Sequence, residues 1–417
     1  MSEEWKSVDP DIPSEEASKL LSFLKENVIG QDHALRNISD AMDVCKAGIR
    51  AKDKPMYTAL LLGPTGVGKT LVAEVLAEYF FGSRTAFTKI ECEKYSESHR
   101  VADLLGAPAG YVGYWNPGDP QYRGTEPLLS QRKIDRHAFL QNKEAQNIRK
   151  QISELEKKFQ TVQEKLRSPN IPKSERASLV QEGNGILSHL GFLDDQLDRL
   201  YVEGTYQSII LFDEIEKANP ALHNMLLNII DKATLTLSNG MVTKFYNSII
   251  LMTSNIGSRD IADLLSNSQL GFQTNRRSMA EIDKEIYEHA KKALRKFFPP
   301  EFINRFDAYS IFRPLSKEAV RKILEVELNR LQKDLLDTFP IVLTVDDELK
   351  AFIVEEATDH PEDGARLLNR KIAKYVREPI SRLKNRKEIK EKDEVRLSFS
   401  REGKRPKAVA WVRSSSR

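Results

Sequence analysis

The sequence predicts an α/β fold: a parallel sheet with helices on both faces, an inserted antiparallel coiled-coil hairpin, and a smaller C-terminal α+β domain. Three observations carry this. Apolar runs at Tyr57–Leu62, Ser208–Phe212 and Tyr246–Thr253 alternate with helical patterns. The first run leads into Gly63-Pro64-Thr65-Gly66-Val67-Gly68-Lys69-Thr70, which fills every fixed position of the phosphate-binding loop G-x-x-x-x-G-K-[ST]. Between the first two runs, residues 134–202 show no strand pattern and repeat their apolar residues in heptads.

Residues 1–24 are polar, contain Pro10 and Pro13, and read as a linker or arm. The large domain then spans 25–315, opening with a helix over Asp32–Lys46 and the Tyr57–Leu62 strand. In the loop that follows, glycines let backbone N–H groups converge on phosphate oxygens, and the next helix adds a favourable field at its N-terminus. Lys69 would reach the β- and γ-phosphates, and the Thr70 hydroxyl would take Mg²⁺. The helix, read as Leu71–Phe80, precedes a strand near Thr85–Glu91.

In the insertion, Ala145, Ile148, Ile152, Leu155, Phe159, Val162 and Leu166 step by three and four. Ser168–Ser174 breaks the helix, and a second stripe runs through Ile186, Leu190, Leu193, Leu197 and Leu200. Two such segments fold back on each other, with arms of roughly 30–40 Å. Gly183, Gly185 and Gly191 weaken the second arm and predict a break or bend there. Charged outer faces argue against burial in the main core. From Ser316 the pattern becomes helix Lys317–Leu336, strand Ile341–Val345, helices Asp346–Ala357 and Ala365–Leu383, and strands Glu394–Ser398 and Ala408–Val412. This is the smaller domain, 316–412, with 413–417 expected as a disordered tail.

Acids and bases nearly cancel over the 417 residues, at a net charge of +3, so nothing global demands nucleic acid or an anionic membrane. Two cysteines, Cys45 and Cys92, make neither a disulfide framework nor a zinc cluster and are expected to pack as small apolar residues. The acidic N-terminus has no signal-peptide core, and no apolar run reaches membrane-spanning length. A cytoplasmic location is the expectation.

Ile209-Ile-Leu-Phe-Asp213-Glu214 delivers two carboxylates at the end of a buried strand. Asp213 would hold Mg²⁺ through water and Glu214 would polarise the attacking water as general base. Asn255 ends the next apolar strand; a neutral amide there can hold that water, although a capping Asn would look the same. Arg305, in Phe298–Asp307, could neutralise transition-state charge if a neighbouring subunit's nucleotide lay close. Arg366 opens a helix of the small domain and could read the nucleotide across the cleft. From charge alone, either arginine could equally be a surface ion pair.

The ordered set GPTGVGKT, GYVGYWNPG, LFDEIEKANP, TSNIGS, FFPPEFINRFD and GARLLNR resembles the AAA+ module of Clp-type unfoldases and disaggregases, specifically the second, C-terminal module of the two-module members. It covers residues 20–130 and 204–412. The resemblance implies an ATP- and Mg²⁺-dependent homohexamer with nucleotide between subunits. It makes Asn255 sensor 1, Arg305 an arginine finger acting in trans, and Arg366 sensor 2. Val28-Ile29 match the adenine-side stretch, Leu71 closes the phosphate-loop set, and Tyr111 would grip a threaded polypeptide by ring area. Unfolded or aggregated protein is the implied substrate. The coiled coil sits where the family pattern has none, so its role does not follow from the resemblance; an adaptor could bind there. Leu270-Gly271-Phe272 resembles the tripeptide with which protease-coupled relatives dock on a peptidase; a plain loop tip reads the same way. The chain departs from the pattern in having one ATPase module and in placing its coiled coil inside it. A nucleotide-switch scaffold and the unfoldase subunit of a Clp-type protease are the alternative functions. A nucleic-acid motor is disfavoured by Tyr111 in its GYVGY setting.

Overall fold

The computed structural model describes residues 9, 12–48, 51–108, 110–111, 113–115, 125–167, 171–258, 261, 279–360, 363–400 and 407–414. Leu270-Gly271-Phe272, Val112 and the Cys45 side chain lie outside them.

Five strands form one parallel sheet: β1 (Tyr57–Leu62), β2 (Thr88–Glu91), β3 (Ser208–Asp213), β6 (Ser248–Ser254) and β7 (Ala308–Ile311). Their spatial order is β2-β3-β6-β1-β7. A short antiparallel pair, β4 (Thr234–Thr236) and β5 (Val242–Lys244), stands apart from the sheet. Strict alternation sends Leu60, Leu62, Ile210, Phe212, Ile250 and Met252 to one face and Ala59, Leu61, Ile209, Leu211, Ile249 and Leu251 to the other. Both faces are covered, which is why these strands read as continuous apolar runs. Helices α1 (Glu15–Asn27), α2 (Asp32–Lys46) and α3 (Lys69–Phe81) cover the second face. The first is covered by α4 (Ser98–Leu105), α8 (Pro220–Lys232), α9 (Met279–Leu294) and the one-turn α10 (Pro300–Ile303), with α5 (Gln131–Phe139) contributing Ile134.

From Glu15 onward, helix α1 takes the place of the arm expected at 1–24; residues 1–8, 10 and 11 lie outside the described set. Ser14 caps it, its hydroxyl accepting from the Ala17 amide at 3.1 Å, and Ala17, Leu20 and Leu24 bury one face at helical spacing. Strand β7 was also not foreseen. It is four residues long, and the Asp307 carboxylate just before it accepts from the backbone and hydroxyl of Thr58 at 2.8 and 2.7 Å. That contact sets its register on β1.

The hairpin is α6 (Lys143–Arg167) packed on α7 (Lys173–Leu200), so its arms run about 38 and 42 Å. Both stripes face the shared seam, where Ala145, Ile148, Val162, Leu179, Ile186, Leu193 and Leu197 are buried in two small clusters separate from the sheet core. Two details differ from expectation. Residues 134–142 belong to α5, which lies against the sheet, so the outboard element begins at Lys143. The three glycines do not break α7; a Cβ on Gly183 would meet only ordinary contacts with Phe159 and Val162. At the base, Phe139, Tyr201 and Tyr206 pack ring on ring at 5.5–5.7 Å. Buried Asp135 accepts hydrogen bonds from Gln131 Nε2, Tyr201 Oη and the Gly204 amide, each at 2.9 Å, while burial pushes its carboxyl up. Because the seam has its own core, replacing 143–200 with a short Gly/Ser linker is expected to keep a cooperative melt and basal turnover within about twofold of the parent. Circular-dichroism melting and steady-state hydrolysis test this; an unfolded deletion protein would place the hairpin in the main core.

After β7, the chain forms a third cluster around α11 (Lys317–Thr338), α12 (Asp347–Thr358) and α13 (Gly364–Ile372). A π turn at Ala373–Arg377 links α13 to α14 (Glu378–Asn385). Strands β8 (Val342–Val345), β9 (Glu394–Ser400) and β10 (Lys407–Arg413) make a mixed sheet, β8–β9 parallel and β9–β10 antiparallel. Arg413, expected in the tail, ends β10 opposite Glu394; residues 415–417 are outside the described set.

Candidate active site

Strand register positions the chemistry. Leu62 aligns with Ser254 and Glu91 with Asp213, so β1, β2, β3 and β6 end at one edge of the sheet. β6 lies between β1 and β3, leaving the Asp213 strand one strand removed from the phosphate loop. A cleft of about 1510 Å³ opens over this edge. It is lined by Val28, Ile29, Thr65–Leu71, Asp213, Glu214, Asn255 and Arg366, together with Ile323 and Val326 of α11.

The loop is curled around its own lysine. Lys69 Nζ donates to the carbonyls of Gly63 and Pro64 at 2.6 Å each, and to Asn255 Oδ1 at 2.8 Å. Gly63, Gly66 and Gly68 all have positive φ, and a Cβ on Gly63 would lie 2.4 Å from the Phe312 carbonyl oxygen. Gly68 caps α3 without a side chain, leaving the helix's first amides free of side-chain partners, as a phosphate site requires. The small domain rests on this loop: the Ala365 amide donates to the Gly66 carbonyl at 2.9 Å, which brings Arg366 into the cleft. A Cβ on Gly364 would come within 2.7 Å of the Thr65 and Gly66 oxygens, so only glycine fits there. Val28 is buried and Ile29, Ile323 and Val326 line the far end, an apolar slot suited to a planar base.

Thr70 Oγ1 donates to Asp213 Oδ1 at 3.2 Å. Burial pushes the Asp213 carboxyl up, but hydrogen bonds from Thr253 at 2.6 Å and from the Lys89 ammonium at 3.0 Å outweigh it, and the net direction is down. An ionised carboxylate beside a hydroxyl fits a hard divalent cation. ATP with Mg²⁺ therefore fits these residues: Thr70 and Asp213 would hold the metal, which would neutralise charge on the β- and γ-phosphates.

Glu214 adopts φ +58, a left-handed conformation unusual for a side-chain-bearing residue and often found at functional sites. Its amide donates to Thr253 Oγ1 at 2.8 Å, which holds that turn. Asn255 Nδ2 donates to Glu214 Oε1 at 3.1 Å, so the candidate base and the candidate water-holding amide touch. The Asn255 backbone N–H in turn donates to Glu216 Oε1 at 3.0 Å.

Two expected residues lie elsewhere. Arg305 is outside the cleft, paired with Asp231 of α8 at 2.9 Å and 44% exposed. Tyr111 is 71% exposed on a loop flanked by Gly110 and Gly113 at positive φ, with backbone turns to Pro108 and Tyr114. Cys92 is buried beside the site, and burial pushes its thiol up, so it acts as packing. Lys89, Thr253, Glu216 and Lys217 were not anticipated; a Thr just before the strand-ending Ser-Asn was the one signal available.

Lys69 makes a pH test. Burial lowers its ammonium to about 8, with Glu216, Asp213 and Glu214 opposing. Phosphate charge favours the ammonium, so binding above pH 8 must take up a proton. ATP affinity is therefore expected to hold below pH 8 and to fall about tenfold per unit as pH rises beyond it. Nucleotide titrations between pH 7 and 9.5 check this; a flat profile contradicts it.

The chain matches the family described as AAA domain (Cdc48 subfamily) over residues 54–124 and 136–309. It also matches the C-terminal, D2-small domain of ClpB protein over 315–397. It is 31% identical over 371 residues to the chaperone protein ClpB of Lactococcus lactis, covering 88% of this chain and 32% of that one. To the chloroplastic ClpC2 of Arabidopsis thaliana it is 29% identical over 403 residues, 96% of this chain and 34% of that one. The chain thus spans about a third of the length of these relatives. A closed-state reconstruction of Hsp104 with ATPγS and FITC-casein superposes with a TM-score of 0.63 at 23% identity, covering 95% of this chain and 52% of that one, a likeness of fold. The matched residues include the phosphate loop, Asp213, Glu214, Asn255 and Arg366, and the chain belongs to the AAA family of ATPases, with a small domain of the ClpB D2 type.

Proposed function

We propose that the protein is an ATP-driven unfoldase that works as a homohexameric ring and threads unfolded or aggregated polypeptide through a central pore. Tyr111 carries this reading. An aromatic ring left exposed on a turn with glycines on either side has no core to pack on, and ring area is a grip that tolerates any sequence. The loop is tied to the β4–β5 turn, where Asn239 Nδ2 donates to the Trp115 carbonyl at 3.3 Å. ATP hydrolysis in the cleft would use Lys69 on the phosphates, Thr70 and Asp213 on Mg²⁺, Glu214 as base, and Asn255 as holder of the attacking water. Arg366 would report nucleotide to the small domain, and Arg305 would act on a neighbour's nucleotide. Relatives at this similarity include proteins named as chaperones, which supports remodelling over a simple nucleotide switch. No described helix is long and apolar enough to cross a membrane, and we place the ring in the cytoplasm. Docking on a peptidase rests on Leu270-Gly271-Phe272 alone, and an adaptor would meet the hairpin.

Tyr111→Ala is expected to keep ATP turnover within about twofold while losing most unfolding of a tagged fluorescent protein, because the ring is contact area and no part of the cleft. Undiminished unfolding by this variant sinks the threading reading.

A further inference from the structure

We infer that the outer flank of α7 is a docking surface for a second copy of this chain, with the two hairpins pairing antiparallel about a two-fold axis. The inference goes beyond the ATPase and threading readings and depends on neither. The seam between α7 and α6 takes Leu179, Ile186, Leu193 and Leu197. One position further along α7, stepping by four, three and four, stand Val180, Asn184, Leu187 and Gly191. At about 100° per residue this second stripe lies more than a quarter-turn from the seam and faces solvent. Val180 is 46% and Leu187 50% exposed, Asn184 and Gly191 are exposed too, and a Cβ on Gly191 would meet nothing within 4 Å. Among the described residues α6 exposes no large apolar side chain, so a solvated hairpin does not by itself call for such a stripe.

Charge selects the occupant. Helical position puts exposed Arg176 on this flank near the hairpin tip, and exposed Asp194, Asp195 and Asp198 on it near the base. No charged residue falls on the flank between them; Glu175 and Glu182 fall on other sides of the helix. Asp198 pairs with Arg132 of its own chain at 2.8 Å, an exposed contact. A second α7 laid antiparallel brings the arginine of each copy to the aspartates of the other. A parallel one stacks arginine on arginine and aspartate on aspartate, which like-charge repulsion disfavours. With the crossing centred between Gly185 and Ile186, Val180 meets Gly191 of the second copy, Asn184 meets Leu187, and Arg176 meets Asp195. Each contact then occurs twice, as a two-fold axis requires. Val180 enters the space that the facing glycine leaves open. A single helix pair is a small contact, at or below the roughly 1,200 Å² of weaker specific interfaces, and it gains strength by repetition. A two-fold contact does not link neighbours within one rotational ring, so this one joins two rings, or two free chains.

Disulfide cross-linking of the full chain tests the register. Bridged Cα atoms must come within about 7 Å. In the two-fold register residues 180 and 191 of facing copies are neighbours, whereas the two copies of residue 180 stand about 16 Å apart along the helix axis. Val180→Cys and Gly191→Cys, oxidised separately, are therefore expected to give no more covalent product than the parent with Cys45 and Cys92, and their equal mixture is expected to give a covalent dimer. A chain carrying both substitutions is expected to stop at the dimer. A ladder of larger products would mean head-to-tail contact around a ring and overturns the two-fold pairing; dimers of Val180→Cys alone report a parallel register and overturn it too. No product from the mixture overturns docking by a second copy and leaves the flank to a helix of another protein. Charge gives an independent arm. Arg176→Glu is expected to weaken self-association about tenfold in sedimentation velocity without nucleotide, and adding Asp195→Arg to restore it to within about threefold. Self-association that ignores Arg176→Glu, or a loss that Asp195→Arg does not rescue, overturns the inferred register.

Discussion

Lys69→Ala is expected to lose ATP binding, while Glu214→Gln is expected to bind ATP normally and hydrolyse it on the order of 10²–10⁴ more slowly. The two defects separate because the side chains work at different places. Lys69 is buried and its ammonium already lies where the loop carbonyls converge, so truncation leaves phosphate charge without its cation in a poorly solvated cleft. Truncating one partner of such a pair costs about 2–5 kcal/mol, or roughly 30-fold to several-thousand-fold in affinity. Glu214 touches Asn255 and Lys217 and no loop carbonyl, and the amide that replaces it keeps the shape but accepts no proton. Fluorescent-nucleotide titration gives the first quantity and steady-state phosphate release the second. Near-normal turnover of Glu214→Gln removes it from the mechanism.

The parts of the site that were legible in the sequence are those fixed by local spacing. Gly63–Thr70 follows directly on β1, and Asp213-Glu214 ends an apolar run, so chain order alone delivers loop, lysine, hydroxyl and carboxylates. The parts that were not legible are made by register across the sheet. Lys89 meets Asp213 because Glu91 aligns with Asp213 on the neighbouring strand, and Thr253 meets it because β6 lies between β1 and β3. Neither pairing has a signature along the chain. Helix α1 was hidden by its composition: three buried residues, Ala17, Leu20 and Leu24, in a polar stretch that follows two prolines. The hairpin's seam was legible from heptads, whereas its base was not, because Phe139, Tyr201 and Tyr206 come together only once the two arms close. The glycines of α7 illustrate tertiary override: propensity disfavours them, and the shared seam keeps the helix continuous.

Arg305→Ala is expected to assemble into rings yet hydrolyse ATP on the order of 10³-fold more slowly or worse, as for loss of an arginine that neutralises phosphoryl-transfer charge. Its place in this chain bears on the test. Arg305 has a partner of its own, Asp231, so a purely structural ion pair is the competing account. That pair is part-exposed, and such pairs contribute about 0–1 kcal/mol, too little to explain a thousandfold loss of turnover through stability. Nor does Arg305 line its own cleft, so a direct catalytic effect must reach another subunit's nucleotide. Mixing decides it. In a ring whose sites each combine one subunit's cleft with its neighbour's arginine, equal mixing of Arg305→Ala with Lys69→Ala subunits leaves about one site in four with both groups intact. Two inactive proteins are then expected to regain up to about a quarter of wild-type turnover per subunit on mixing. An arginine acting in cis gives no recovery at any ratio, because every subunit then carries one lesion in its own site. Native mass spectrometry of the mixture, run beside the hydrolysis assay, confirms that subunits exchange; mixed rings without recovered turnover assign Arg305 to its own chain.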